Sequence, residues 1–209
     1  MAVGYDNIDL PAATKAGVPV GHTPGVLTET CADFTLALLL AAARRIIEGH
    51  NEVQQGIWQP WGPDVLLGEE VNGASLGIIG FGRIGKAVAR RAAGFGMDIH
   101  YFDSYRDTDY ESAHQVKYLA FNELLQTCDF ITIHTTLSSA TYHLIDKPQL
   151  SLMKPNAILI NTSRGGVINP DALYQALKNR QIRSAALDVF EPEPIPTDHP
   201  ILKLDNLIL

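Results

Sequence analysis

Short apolar runs that alternate with helical stretches are the feature of this sequence that most limits its fold. From residue 74 onward the runs are ASLGIIG, DIHYFD, DFITIH, AILIN, SAALDVF and NLIL. Runs this short and this apolar are typical of strands buried on both faces of a sheet. Because strands that alternate with helices form βαβ units, the sequence predicts an α/β fold around a parallel sheet.

The helical stretches are predicted at residues 9–15, from 28 to about 51, and at 83–95, 121–127, 147–153 and 170–179. The stretch from Thr28 is apolar on nearly every face, which indicates a helix buried on all sides. Such a helix is either part of the core or packed between domains or subunits. Val18 to Val20 is predicted to be a short extended piece after the first helix.

A glycine motif follows the first of these strands and opens a helix, in the run LGIIGFGRIG. Gly80 permits a tight turn, Gly82 lets the backbone approach a pyrophosphate, and Gly85 lets the helix pack close to the strand. The N-terminus of the helix then offers free amides and a positive dipole to an anion. The motif in this setting predicts a Rossmann-like, doubly wound sheet that binds a dinucleotide.

An acidic residue about twenty positions after such a motif contacts the adenosine ribose in dinucleotide-binding folds. Asp103 ends the second strand at that position. Its carboxylate would bind the ribose hydroxyls and repel a 2′-phosphate, so NAD is favoured. Arg106 lies three residues further on and could accommodate a 2′-phosphate, so NADP stays open.

Composition excludes some classes of partner. The chain has 209 residues and a net charge of −7, which disfavours nucleic acid and anionic membranes as partners. The longest apolar run, residues 34–43, is too short to span a bilayer. We expect no signal peptide, because residues 1–10 carry no positively charged side chain. We expect no disulfide, because Cys31 and Cys128 are far apart in apolar contexts. These features favour a cytoplasmic location, and we predict no metal site.

A second motif, NTSRGG, follows the strand AILIN. Ligands of open parallel sheets bind beyond the carboxyl ends of the strands, so Arg164 is predicted to lie on the ligand side. Its guanidinium can hold a carboxylate through two hydrogen bonds, while Gly165 and Gly166 let the chain turn there. The alternative is an arginine paired with a surface acid. For Glu193, spacing alone favours a solvated loop acid.

Five segments in one order complete the pattern. They are GYDNID at 4–9, TPGVLTETCAD at 23–33, LGIIGFGRIG at 76–85, NTSRGG at 161–166 and LDVFEPEP at 187–194. Together they resemble the D-isomer-specific 2-hydroxyacid dehydrogenases, and most closely the glyoxylate and hydroxypyruvate reductase group. This resemblance covers the whole chain.

The resemblance implies reduction of a 2-keto acid with NAD(P)H, or the reverse reaction. Arg164 would bind the substrate carboxylate, the backbone at Val3 and Gly4 would meet it, and Glu193 would hydrogen-bond a catalytic histidine. Such a carboxylate raises the pKa of an imidazole and fixes its tautomer. The cofactor-contact positions implied in the same way are Cys31, Gly80, Gly82, Arg83, Ile84, Gly85, Asp103, Thr135, Thr162, Ser163, Arg164 and Asp188.

The sequence departs from the family pattern at both ends. The family histidine follows a strand like NLIL in a Thr-Pro-His, and none of the seven histidines here takes that position. We therefore expect a fragment: residues 1–25 as a remnant of a flavodoxin-like substrate domain, and residues 26–209 as interdomain helix and dinucleotide-binding domain. For these residues we predict cofactor binding with little or no turnover. Cys31 stands where threonine is common, and Thr136 where proline is common.

Two other functions stay open at this point. A nucleotide-sensing, corepressor-like binding protein could have the same fold, arginine and acid. An enzyme related to S-adenosylhomocysteine hydrolase would also bind NAD, but it does not account for NTSRGG followed by DVFEPEP. The apolar stretch from Thr28 also suggests a homodimer.

Overall fold

The predicted sheet is present in a computed structural model, which describes residues 3–60 and 62–209. Within those ranges its strands are β1 (Ser75–Ile79), β2 (Asp98–Phe102), β3 (Lys117–Tyr118), β4 (Phe130–Ile133), β5 (Ile158–Asn161), β6 (Ser184–Leu187) and β7 (Leu207–Ile208). They are parallel throughout and lie in the order β3-β2-β1-β4-β5-β6-β7. The order reverses direction between β1 and β4, which confirms the doubly wound topology and places a ligand crevice at that point.

Helices cover both faces of the sheet. They are α1 (Leu10–Lys15), α2 (Thr28–Ala43), α3 (Ile46–Gln54), α4 (Arg83–Ala93), α5 (Thr108–His114), α6 (Phe121–Thr127), α7 (Lys147–Leu152) and α8 (Pro170–Lys178), with 3-10 turns at Gly165–Val167 and Pro200–Lys203. One core cluster joins α2 and α4 to the sheet, and the other joins α6, α7 and α8 to its opposite face. The strands β1, β4, β5 and β6 between them are almost wholly buried, in keeping with their apolar composition.

The prediction of one continuous helix from Thr28 to about Asn51 is wrong, because this stretch forms two helices, α2 and α3. Arg45 has a left-handed backbone (φ 53°) between α2 and α3. The carbonyl of Ala43 accepts a hydrogen bond from the amide of Glu69 at 2.8 Å instead of continuing the helical ladder. A Cβ on Gly68 would lie 2.3 Å from that same oxygen, so the returning chain needs glycine there. Close approach of a distant segment ends α2.

Two elements were not predicted, β3 and α5. The strand β3 has two residues and pairs only with β2. Helix α5 has the polar sequence TDYESAH and buries none of its residues. Neither carries the apolar periodicity by which buried elements are recognised.

The N-terminal segment, residues 3–25, has little buried surface. Asp9 caps α1 by accepting a hydrogen bond from the amide of Ala12 at 2.9 Å, yet α1 buries no side chain. The extended piece predicted at Val18 to Val20 is not a strand, because no strand of the described chain lies beside it. Among the described residues, no helix has the length and apolarity needed to cross a membrane.

Candidate functional site

The glycine turn between β1 and α4 is built by close backbone packing. Gly80 has φ 92°, and a Cβ there would lie 2.6 Å from the carbonyl carbon of His134 and 2.7 Å from the amide nitrogen of Thr135. A Cβ on Gly85 would lie 2.3 Å from the oxygen of Gly80. The predicted roles of these two glycines, a tight turn and close helix packing, therefore have a direct steric basis. Thr135, a predicted cofactor contact, lies beside the turn.

Gly82 differs from its two neighbours in the motif. A Cβ at this position would meet no atom of the described residues within 4 Å, apart from its chain neighbours, so no packing among them demands a glycine. The first hydrogen bond of α4 runs from the amide of Lys86 to the oxygen of Gly82 at 3.0 Å. The amides of Arg83 and Ile84 lie at the helix end, where an anion is stabilised. The open space at Gly82 is therefore available to a ligand.

Asp103 joins the second strand to the glycine turn. Its Oδ2 accepts a hydrogen bond from the amide of Phe81 at 2.6 Å, and its Oδ1 accepts from the Ser104 hydroxyl at 3.1 Å and the Tyr105 amide at 3.2 Å. A carboxylate has about four acceptor positions, so one remains for a ribose hydroxyl. Arg106 is bound elsewhere: its Nε and Nη2 donate to Glu111 at 2.9 and 2.8 Å.

The end of β5 is organised by two residues whose roles sequence reasoning missed. Asn161 is 1% exposed; its Oδ1 accepts from the Ser163 amide at 3.0 Å, and its Nδ2 donates to the Arg164 oxygen at 2.9 Å. Thr35 of α2 is fully buried, and its hydroxyl lies 3.0 Å from that of Thr162. Asn161 was visible inside NTSRGG, but nothing in the sequence distinguished Thr35 from other helix residues.

Arg164 lies against the N-terminal segment. Its Nε donates to both carboxylate oxygens of Asp6, at 3.1 and 3.2 Å, and its Nη1 donates to the Ser163 oxygen at 2.8 Å. A Cβ on Gly4 would lie 1.8 Å from Nη2, so the guanidinium packs directly on that backbone. The structure thus joins the predicted substrate residues Gly4 and Arg164. It also contains the acid partner of the alternative interpretation, Asp6.

The chain turns at the glycines after Arg164, as predicted, in the 3-10 turn Gly165–Val167, and backbone packing gives a second reason for glycine there. A Cβ on Gly165 would lie 1.8 Å from the oxygen of Phe190, so this residue is glycine because another backbone crosses it. Gly166 faces the carboxylate of Glu191, whose Oε2 would lie 3.4 Å from an added Cβ. The turn that carries Arg164 is therefore packed against the segment that leads to Glu193.

Of the remaining predicted residues, Asp188 lies at the carboxyl end of the same sheet. Asp188 follows β6, and its amide donates to the Asn161 oxygen at 3.0 Å. Burial raises the pKa of the Cys31 thiol, and the charge of Asp188 adds to this effect. Glu193 is exposed, and so is Val3, whose carbonyl oxygen lies 3.0 Å from Nδ1 of His22.

His134 cannot act as a proton donor near neutral pH. Burial lowers the pKa of its imidazole to about 3, although part of the residue remains exposed. Its Nε2 lies 2.9 Å from the Thr132 hydroxyl. A neutral ring at all physiological pH values does not substitute for the histidine that the family pattern requires.

Comparison with known proteins decides the family. The profile described as "D-isomer specific 2-hydroxyacid dehydrogenase, NAD binding domain" matches residues 36–209. The chain belongs to the D-isomer-specific 2-hydroxyacid dehydrogenase family. The matched segment is the NAD-binding domain of that family and contains the glycine turn, Asp103 and Arg164 described above.

Members of the family show how far the likeness extends. A glyoxylate reductase of Korarchaeum cryptofilum is 56% identical over the whole chain, which spans 63% of that relative. D-lactate dehydrogenase from Aquifex aeolicus, solved with NAD and lactic acid, is 33% identical with a TM-score of 0.88; the match covers 99% of this chain and 66% of that one. An acyclic imino acid reductase solved with NADPH and D-Arg is 32% identical with a TM-score of 0.88, over 100% and 65% of the two chains. These relatives are enzymes, and they give the corepressor alternative no support.

Proposed function

We propose that this chain binds NAD(H) as part of an oxidoreductase that transfers a hydride between the cofactor and a small 2-keto or 2-hydroxy acid. Glyoxylate and hydroxypyruvate are the proposed keto acids. In this proposal residues 1–25 belong to the substrate domain and residues 26–209 to the interdomain helix and cofactor domain. One observation carries it: the open space beside Gly82 at the α4 N-terminus and the arginine Arg164 lie at the same, carboxyl end of one parallel sheet.

The proposed cofactor contacts follow from the geometry of that end of the sheet. The amides at Gly82, Arg83 and Ile84 would bind the pyrophosphate, while Gly80 and Gly85 shape the turn. Asp103 would accept a hydrogen bond from the ribose. The nicotinamide half would lie along the ends of β4, β5 and β6, beside Cys31, Thr135, Thr162, Ser163, Arg164 and Asp188.

The proposed chemistry depends on Arg164 and Glu193. When bound, the nicotinamide supplies or accepts the hydride. Arg164 would hold the substrate carboxylate, with the Val3–Gly4 backbone beside it, and its charge would stabilise the developing charge on the keto oxygen. Glu193 would orient a histidine and raise the pKa of its ring, which favours the proton-donating form.

The cofactor proposal is tested with Gly82→Ala. Because the added methyl meets no protein atom within 4 Å, the fold should be unchanged, while a pyrophosphate would be obstructed. We expect the NADH dissociation constant to rise at least about tenfold, measured by NADH fluorescence, with no change in melting temperature. Gly21→Ala is the matched control, since its Cβ also meets nothing within 4 Å. Equal NADH binding by both variants and the unmodified chain would contradict the proposed pyrophosphate site.

The substrate proposal is tested with Arg164→Gln in the NADH-loaded chain. Oxamate, an unreactive analogue of a 2-keto acid, should bind at least about tenfold more weakly, because a charged two-hydrogen-bond contact is lost. Arg180→Gln is the control, since Arg180 pairs with Asp205 on the surface. Unaltered oxamate binding in Arg164→Gln would remove Arg164 from the substrate site. We also predict little or no turnover by these 209 residues, because none of their histidines takes the catalytic position. Rapid oxidation of NADH in the presence of glyoxylate would contradict that prediction.

A homodimer is also proposed, through helix α3 and the segment after it rather than through α2. Helix α2 owes its apolar faces to packing within the chain, against α4 and the strands β5 and β6. Helix α3 and the segment after it expose large apolar side chains instead: Ile46, Ile47, Val53, Ile57 and Trp58. Exposed apolar clusters of this kind are typical of protein interfaces.

The dimer is tested by Ile47→Asp, which should shift sedimentation toward monomer. Val26→Asp is the matched control, because Val26 is more exposed than Ile47 (71% against 45%) and lies outside α3. The same sedimentation coefficient for both variants would exclude this surface as the interface.

We also infer a cytoplasmic location, which rests on the two cysteines, both free in the structure.

A further inference from the structure

The loop after β2 contains two residues with opposite preferences for the cofactor. Asp103 favours an unmodified ribose, whereas an arginine in this position can bind the 2′-phosphate of NADP. Arg106 is that arginine, three residues after Asp103. Its side-chain contacts therefore decide which preference prevails.

Arg106 is engaged by residues that follow the loop in the sequence. Nε and Nη2 donate to Oε1 and Oε2 of Glu111 at 2.9 and 2.8 Å, which is a two-hydrogen-bond ion pair. The guanidinium carbon also lies 5.5 Å from the ring centre of Tyr118. The two partners belong to α5 and β3, the elements that follow the loop, and they hold the guanidinium there.

Glu111 is itself held in place from the core. The Tyr101 hydroxyl donates to its Oε1 at 2.7 Å, and Tyr101 is fully buried in β2. Burial, with the hydrogen bond to Glu111, raises the pKa of Tyr101 to about 12, so the hydroxyl keeps its proton. The Asp107 amide donates to the same hydroxyl at 2.8 Å. A buried tyrosine thus fixes the carboxylate that fixes Arg106.

The charge of the loop acts in the same direction. Between residues 103 and 111 there are four carboxylates, and Arg106 is the one basic residue. A phosphate that approached the remaining N–H groups of Arg106 would lie close to the Glu111 carboxylate. Like charges within a few ångströms oppose each other, so the ion pair discourages a dianion even where donors remain.

We propose that Glu111 is a specificity-determining residue: by holding Arg106 in an ion pair, it withholds from the ribose site the guanidinium that would bind the 2′-phosphate of NADP. This inference rests on the proposed NAD(H) function. It extends that function, because the preference for NAD over NADP then depends on Glu111 as well as on Asp103. Tyr101 is a positioning residue for Glu111.

The test compares dissociation constants for NADPH and NADH, measured by fluorescence on the 209-residue chain. In Glu111→Gln the arginine loses its charged partner, while the amide oxygen can still accept from Tyr101. We expect NADPH to bind about tenfold more tightly relative to NADH than in the unmodified chain, the effect of about one charge-assisted hydrogen bond. Asp109→Asn removes the same charge from the same helix without releasing Arg106, and should change the ratio less than about twofold.

Two further variants make the result specific to Arg106. Arg106→Gln alone should leave the NADPH to NADH ratio unchanged, because the guanidinium is already occupied. Glu111→Gln with Arg106→Gln should return the ratio to that of the unmodified chain. Melting temperatures establish that each variant is folded, and Arg106→Gln still tests the inference even if Glu111→Gln unfolds.

The outcomes separate the inference from the function beneath it. A ratio that moves equally in Glu111→Gln and Asp109→Asn would reduce the effect to net charge and overturn the inference. A ratio that moves in Arg106→Gln would mean that Arg106 already contacts the cofactor, which also overturns it. If the unmodified chain binds neither NADH nor NADPH, the proposed function itself fails, and the inference with it.

Discussion

Two pairs of glycines in this protein serve opposite purposes, one pair beside the parallel sheet and one in the N-terminal segment. At the carboxyl ends of the strands, called the sheet edge below, Gly85 and Gly165 leave no room for a methyl group. Backbone oxygens would lie 2.3 and 1.8 Å from an added Cβ. In the N-terminal segment, residues 3–25, Gly17 and Gly25 have positive φ and meet nothing within 4 Å. Close backbone packing explains the first pair, whereas local turns explain the second.

A charged contact joins the two regions, beside the packing of Gly4 on the Arg164 guanidinium. Arg164 belongs to the packed edge, and Asp6, its partner, belongs to the N-terminal segment, with side chains 37% and 31% exposed. A half-exposed ion pair contributes little free energy of folding. The comparison therefore predicts large effects of substitutions at the edge and small effects at this contact, in the following order.

Gly165→Ala should have the largest effect. The added methyl would overlap the backbone carbonyl of Phe190. The backbones at Gly165 and Phe190 both support the site, so neither can move away without disturbing it. We expect a loss of about 3 kcal/mol in the free energy of unfolding, measured by urea denaturation. Gly21→Ala is the control and should stay within about 0.5 kcal/mol. Similar denaturation midpoints for the two variants would refute the contrast between the regions.

Asn161→Ala should come next. The substitution removes the acceptor used by the Ser163 amide and hydroxyl and the donor used by the Arg164 oxygen, in a site that is 1% exposed. Leaving such groups unpaired should cost about 2 kcal/mol in unfolding free energy and weaken NADH binding. Asn122→Ala, on the exposed surface of α6, is the control. Wild-type stability in Asn161→Ala would mean that the turn holds its shape without this side chain.

Asp129→Asn should have a smaller effect that depends on pH. Burial acts to raise the pKa of Asp129, but hydrogen bonds from Lys154 and Ser75 outweigh it, so the pKa lies below its usual value. A lowered folded-state pKa stabilises the fold above the unfolded pKa, and this stabilisation is lost as pH falls through the folded pKa. The variant should therefore lose about 1 kcal/mol at neutral pH and less in acid.

The measurement for Asp129 is the urea midpoint from neutral pH down to about pH 3, a range that spans the ordinary carboxyl pKa. Asp198→Asn, at an exposed loop position, is the control and should follow the unmodified chain. A difference between Asp129→Asn and the unmodified chain that stays constant with pH would argue against the ionised carboxylate as its cause.

Asp6→Asn should have the smallest effect on global stability, within about 0.5 kcal/mol. Its effect should instead be local: hydrogen exchange should accelerate in residues 3–25, because their charged contact with Arg164 is weakened. Asp198→Asn again serves as the control. Unchanged exchange in this segment would show that the packing of Gly4 on Arg164 is sufficient to hold it.

Much of this fold was predictable because buried elements carry their own signal. The strands β1, β4 and β5 are apolar at nearly every position, and the glycine motif marks the turn into α4. The sheet, and the end of it at which a ligand would bind, therefore follow from the sequence. Helix α5 and strand β3 were missed because they are short and polar. The break between α2 and α3 was missed because a segment more than twenty residues away makes it.

The candidate site divides in the same way. The sequence by itself determined the family resemblance, the parallel sheet, and the residues Gly82, Asp103 and Arg164 as its candidates. Only the tertiary structure decided which residues contact one another at the site. Arg164 pairs with Asp6, Gly165 packs on the Phe190 carbonyl, and Arg106 pairs with Glu111. The physical reason is that periodicity and motif spacing report which residues are buried or local, whereas partners brought together by folding leave no periodic trace in the chain.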